Sequence, residues 1–178
     1  MPSPVAHVGL AIALRWGLSR PGQPWADRVA LACAVASIVP DLDMLLVIAL
    51  PGGILWHHGP THSLLGAAAG GLLVAWLARL PCREAWLPVV AGLMHVPLDY
   101  LTGEPGGPSH FGVPVFWPLL TERMVSPWPW FIPFGIDREG FLAHMFTPGA
   151  ARAYGREVVT VLVGFALARY GRGSSTNS

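Results

Sequence analysis

The chain contains no lysine: all 11 basic residues are arginines, and the net charge over 178 residues is only +1. That excludes the broad positive field that nucleic acid requires, so no nucleic-acid partner is expected. Charge of either sign is scarce, 12% of residues against about 25% in an average soluble domain. Hydrophobic residues make up 53% and mean hydropathy is +0.50, which argues against both an ordinary soluble globule and a disordered chain. Cysteine is nearly absent. Cys33 and Cys82 form no CxxC pair and read as inert packing residues. The first apolar run, Val5 to Leu14, has no positive residue before it and Arg15 after it, unlike a cleaved signal. There is no repeat and no low-complexity tract. The length suits one domain, residues 1–170, followed by a small polar tail, 171–178, that reads as disordered.

Apolar stretches are plentiful. They run from about Val5 to Leu18, Val29 to Leu50, His62 to Leu80, Ala85 to Leu101 and Val158 to Ala168. A spanning helix needs about 20 apolar residues, which the middle three approach. The expected fold class is therefore all-α: a polytopic helical membrane protein with about five membrane-embedded helices. The third stretch carries Gly66-Ala67-Ala68-Ala69-Gly70-Gly71, and small residues at this spacing permit close helix packing. Between Thr102 and Ala153 prolines recur and Trp117, Trp128 and Trp130 sit among them. That density of proline forbids a regular helix, and the aromatics favour a loop at the membrane–water boundary. Arg15, Arg20 and Arg28 mark the first connection, Arg79 and Arg83 the third, and Arg169 and Arg172 the end. Positive loops stay cytoplasmic, which places loop two and the aromatic segment on the other face.

Ionisable residues are few inside these stretches, and they share one end. If the stretches alternate in direction, His7, Asp41, Asp43, His57, His58, His62, His95 and Asp99 all fall toward the arginine-poor face. A central Asp in a span costs on the order of 2.5–3.5 kcal/mol, so such groups persist when they pair or bind something. Imidazole and carboxylate are donors that Zn²⁺ and related divalent ions accept. His95 and Asp99, four apart, project from one helix face. His57 and His62 flank Gly59-Pro60, as a loop entering a helix would, with Thr61 a fitting N-cap. Asp41 and Asp43 are two apart around a backbone that Pro40 distorts, so one can bind an ion while the other supports it. Each element alone also has a plain structural reading: an interfacial His, a turn, a solvated loop, a neutral His–Asp pair. His110 and His144 have no carboxylate at fixed spacing and stay unassigned. Asp27, Glu84, Glu104, Asp137 and Glu139 read as solvated loop charges.

Taken in order, these blocks form a pattern. They are His7-Val8-Gly9, Pro40-Asp41-Leu42-Asp43, His57-His58-Gly59-Pro60-Thr61-His62-Ser63-Leu64-Leu65, His95-Val96-Pro97-Leu98-Asp99-Tyr100-Leu101-Thr102 and Gly112-Val113-Pro114-Val115-Phe116-Trp117-Pro118. The chain resembles the YdjM-like family of bacterial membrane-bound, metal-dependent hydrolases, some under LexA control, over roughly residues 5 to 120. Where that family has Arg after the first His of its loop motif, this chain has His58, and Glu104 to Phe111 is an insertion. The resemblance implies an inner-membrane location and a polar core of His7, Asp41, Asp43, His57, His62, His95 and Asp99 as metal-ligating residues. The order of donor types is also similar to zinc phospholipase C and the S1/P1 nucleases, which cleave phosphoesters.

The expected function is hydrolysis of a phosphoester or ester bond in a lipid or lipid-linked substrate. A divalent metal, expected to be zinc, activates water at a site toward the non-cytoplasmic face. Asp41 and His58 are the candidate catalytic residues, as proton acceptor and proton donor. The alternative is a non-enzymatic membrane protein, an ion or proton transporter or a metal-binding scaffold, using the same cluster. The absence of two similar halves weighs against a transporter.

Overall fold

The computed structural model describes residues 2–19, 27–49, 57–103, 112–132 and 147–174. His110, His144, Arg20, Glu104, Asp137 and Glu139, the insertion 104–111 and the last four residues of the tail lie outside these.

Helix boundaries follow from caps and prolines. α1 (Pro4–Leu18) starts on Ser3, whose Oγ accepts from the Val5 N–H, with proline in the first turn. α2 (Arg28–Ala36) starts on Asp27, which accepts from the Ala30 N–H at 2.9 Å. Asp27 also takes the guanidinium of buried Arg15 at 2.6 Å. It is thus a cap and an ion-pair partner rather than a solvated charge. Before Pro40 the helix stops; Pro40–Asp43 form one 3₁₀ turn, and the short α3 (Met44–Ala49) follows. A second 3₁₀ turn, Pro60–His62, leads into α4 (Leu64–Leu77), α5 (Cys82–Tyr100) follows, and α6 (Pro148–Ser174) closes the described chain. Gly171–Ser174, read from sequence as the start of the tail, are the last turn of α6.

The all-α class holds, but the polytopic membrane bundle is not what these helices form. Among the described residues no helix is long and apolar enough to cross a membrane. α1 and α4, with 15 and 14 residues, are ~22 and ~21 Å long against a hydrocarbon core of ~30 Å. The second apolar stretch is not one helix but α2, a 3₁₀ turn and α3. α5 is longer but carries Arg83, Glu84, His95, Asp99 and two prolines; α6 carries Arg152, Arg156, Glu157, Arg169 and Arg172. Counting apolar residues overestimated helix length because hydropathy runs straight through the breaks that Pro40 and the caps impose. The arginine-based orientation rested on alternating spans and loses its footing with them.

α1 packs against α2, α5 and α6, while α5 also takes α2 and α4. The core gathers Ala11, Val29, Cys33, Leu87 and Ala91 between α1, α2 and α5. Small residues set the α4–α5 approach: a Cβ on Gly71 would lie 2.6 Å from the Pro88 carbonyl oxygen, and one on Gly92 2.7 Å from that of Ala67. Residues 112–132 contain no helix. They fold back over the end of α5, where Leu101 O accepts from the Trp130 and Phe131 N–H groups and Tyr100 O from that of Ser126. Phe131 is buried there with Ala6 and Leu98. Large apolar side chains stay exposed on α4 (Leu65, Leu72, Leu73, Trp76, Leu77), on α6 (Val159, Leu162, Val163, Leu167) and along this segment (Leu119, Trp128).

Candidate metal centre

Four places in the chain supply polar groups to one end of this bundle. His7 sits in the second turn of α1; Asp41 and Asp43 sit on the 3₁₀ turn after α2. His57, His58 and His62 occupy the approach to α4, and His95 and Asp99 the last turns of α5. All eight side chains are buried except that of Asp41, which is 11% exposed. Thr61, beside it, is exposed and marks the rim.

Several contacts fix how the rings point. The His95 Nδ1–H donates to the Ser37 carbonyl at 2.7 Å, which turns Nε2 inward as a lone pair. Asp43 holds two imidazoles by their Nδ1 atoms, His57 at 2.9 Å and His62 at 3.2 Å, and accepts from the Thr61 hydroxyl at 3.3 Å. Both rings therefore present Nε2 to the interior. Thr61 is not the helix cap expected from sequence: Ser63 is, accepting from the Gly66 N–H at 3.0 Å, and Thr61 serves the carboxylate instead. The sequence carries no signal for Ser37 or for Arg123, whose Nη2 donates to the His57 carbonyl at 3.3 Å. A backbone acceptor carries no residue signature, and Arg123 comes from an irregular segment 66 positions away.

The inward atoms leave a consistent gap. His62 Nε2 lies 3.4 Å from Asp41 Oδ1 and 3.2 Å from Asp99 Oδ2; His95 Nε2 lies 3.5 and 3.0 Å from the same two oxygens. Donors 2.0–2.1 Å from a tetrahedral zinc stand about 3.3 Å from one another. Three of these four separations match such edges better than the ~2.9 Å of an ordinary N–H···O bond. Asp41, His62, His95 and Asp99 place one donor atom each within 4.8 Å of all the others, and so do His57, His58 and His62. His7 Nε2 is 3.6 Å from Asp99 Oδ1, with its ring stacked on His95 at 4.0 Å between centroids. Among the described residues, the buried side-chain polar atoms lacking a hydrogen-bond partner belong to His7, Asp41, His57, His58, His95 and Asp99 and no others. Buried polar atoms are ordinarily satisfied, and a whole group left over in one place is what a cation would complete. The cluster could hold a metal ion.

A family model described as YdjM inner membrane protein matches residues 1–175. The chain belongs to the YdjM inner membrane protein family. No curated protein and no solved structure matches it, so the likeness to zinc phospholipase C and the S1/P1 nucleases rests on the order of donors alone. The YdjM family's description suggests a membrane location, and the exposed Leu, Val and Trp side chains of α4, α6 and residues 112–132 are compatible with lipid contact. That description names no activity and no ion.

Electrostatics adds a pH dependence. Burial alone would depress His62, but the carboxylates of Asp41, Asp43 and Asp99 outweigh it and hold the imidazole up at about 9. Asp43 is raised by burial yet held well below the usual carboxylate range by His57 and His62. In the metal-free protein His62 is thus a cation at pH 7, and an ion competes with its proton. A histidine raised from 6.5 to about 9 stabilises the fold fully below pH 6.5 and stops doing so as pH climbs through 9. Asp43 contributes above the ordinary carboxyl value of 3.8 and loses this as pH falls. The metal-free chain should therefore melt at a lower temperature at pH 9.5 than at pH 6.5. The gap between zinc-loaded and chelator-treated samples should widen over the same range. Thermal scans with and without chelator measure this, and a gap that ignores pH would contradict it.

Gly66 positions the His57–His62 turn. A Cβ there would stand 2.1 Å from the Pro60 carbonyl oxygen and 2.9 Å from Thr61 Cα. Gly66→Ala should push the turn off α4, lower stability by about 1–3 kcal/mol and weaken ion binding with it. Thermal melting and zinc titration of the same sample read both, and unchanged values would count against this packing.

Proposed function

We propose that this chain is a membrane-associated, metal-dependent hydrolase acting on a phosphoester or ester bond of a lipid or lipid-linked substrate. The observation that carries the reading is the set of 3.0–3.5 Å separations between His62, His95, Asp41 and Asp99 in a pocket of otherwise unpaired buried donors. His62, His95 and Asp99 are the buried members and would hold a divalent ion, zinc being the one these N and O donors suit. Such an ion supplies Lewis acidity and lowers the pKa of water beside it.

The chain's own groups do the rest. Asp41 is the cluster member nearest solvent, and its Oδ2 has no partner, so it is placed to accept the proton of an attacking water. Asp43 and the Ser37 carbonyl hold the imidazoles in the tautomer that offers a lone pair. Burial keeps His58 neutral, because the Asp99 charge does not offset its desolvation. A neutral imidazole suits lone-pair donation and not delivery of a proton to a leaving group. Phe116, Leu119, Trp128 and Trp130 are exposed on the segment that folds over this end, the kind of apolar and aromatic rim that sits at a lipid boundary. This supports a substrate presented from the membrane.

The test uses the full chain purified in detergent, with metal content measured. It is offered mixed micelles of phosphatidylethanolamine and phosphatidylglycerol, and products are read by mass spectrometry. The expected result is release of a phosphorylated headgroup or a fatty acid, lost with chelator and restored by zinc. A fully metal-loaded protein that cleaves neither bond would overturn the reading in favour of the non-enzymatic alternative.

A further inference from the structure

We infer that the cluster binds a second divalent cation, on His57 and His58, with the Asp99 carboxylate shared between the two ions. A first ion would be held by His62, His95 and Asp99, with Asp41 beside its open position, yet buried donors remain. His57 Nε2 and His58 Nε2 are both inaccessible and without partners, and the nitrogens of His57, His58 and His62 form their own group within 4.8 Å. His62 stands in both groups but has one inward nitrogen. Asp99 has two oxygens, both unpaired: Oδ2 faces His62, His95 and, at 3.7 Å, His58, while Oδ1 faces His7. It is the group that can serve two ions at once, as carboxylates do where paired metals lie about 3.5–4 Å apart.

The backbone points the same way. His58 has φ of +56°, in the left-handed region that histidine, asparagine and aspartate enter more readily than other non-glycine residues. It is held there with its ring packed on His57 at 4.1 Å and His62 at 4.8 Å between centroids. His57 is oriented independently by Asp43. The turn places a buried nitrogen that makes no hydrogen bond beside that of His57, and a cation between the two Nε2 atoms accounts for both unpaired nitrogens.

This inference rests on the reading of the cluster as a cation site, not on hydrolysis. The experiment strips the full chain with chelator and titrates it with Co²⁺, following the visible absorption bands and measuring bound metal. The wild type should saturate at two equivalents. His58→Asn, chosen because asparagine tolerates the left-handed region, should saturate at one and keep the bands of the first. His57→Gln should do the same and decides the matter if the other variant does not fold. With Mn²⁺, the resonance signal of isolated ions should fall as the second equivalent enters the wild type. Saturation of the wild type at one equivalent overturns the inference. So does retention of two equivalents by the folded variants, or loss of both. A one-ion protein that still hydrolyses lipid refutes only the second cation, whereas a two-ion protein that hydrolyses nothing refutes only the enzymatic reading.

Discussion

His62→Gln should empty the site formed by Asp41, His62, His95 and Asp99. His62 is the only residue common to both groups of donors, and its Nε2 sits within 3.4 Å of Asp41 and Asp99. Losing a partner that merely orients a ligand costs about 10–100-fold in metal affinity; losing this nitrogen should cost more than about 100-fold, and hydrolysis with it. The variant also leaves the Asp41, Asp43 and Asp99 carboxylates without the imidazolium they surround. Its metal-free form should therefore lose on the order of 3–5 kcal/mol, the usual cost of breaking a buried pair. Zinc titration gives the first quantity and thermal melting under chelator the second. A folded His62→Gln protein with wild-type metal content would remove the basis of the centre.

Asp99→Ala should have an effect of similar size by a different route. Asp99 is 1% exposed and lies within 3.7 Å of His7, His58, His62 and His95. Removing the carboxylate takes away the counter-charge of the His62 imidazolium and one donor to the ion. Metal-free stability should fall by about 3–5 kcal/mol and bound zinc should become undetectable at stoichiometric concentrations. Asp99→Asn keeps the shape and separates volume from charge: it should melt closer to the wild type than Asp99→Ala while losing most of the zinc. Glu84→Ala, on the same helix with its carboxylate beside exposed Arg83, is the control and should stay within about ±0.5 kcal/mol. Wild-type zinc binding in Asp99→Ala would show that the ion, if any, sits elsewhere.

How much of this was legible beforehand depended on the kind of signal. His7, His62, His95 and Asp99 stood out because an ionisable group in an apolar run needs a reason, and their spacing relative to helix ends carried them to one end of the bundle. Helix length was not legible, because Val29 to Leu50 looks continuous to hydropathy while Ser37 and Pro40 end the helix in space. The burial of Arg15 against Asp27 was missed for a related reason: two charges in a connecting loop resemble solvent-facing residues until the chain turns them toward each other. The division of labour between Asp41 and Asp43 was left open by their spacing. The 3₁₀ turn directs Asp43 to the Nδ1 atoms of His57 and His62 and Asp41 to the Nε2 atoms of His62 and His95.

The start of α1 is tied to the far end of the chain. The Ser3 N–H donates to Glu157 Oε1 at 2.7 Å, its hydroxyl donates to Oε2, and both residues are buried. His7 lies one turn beyond that tether. Seating of the first donor thus depends on a contact between residues 154 positions apart, so a substitution at Glu157, on a helix that supplies no ligand, reaches the pocket through the register of α1.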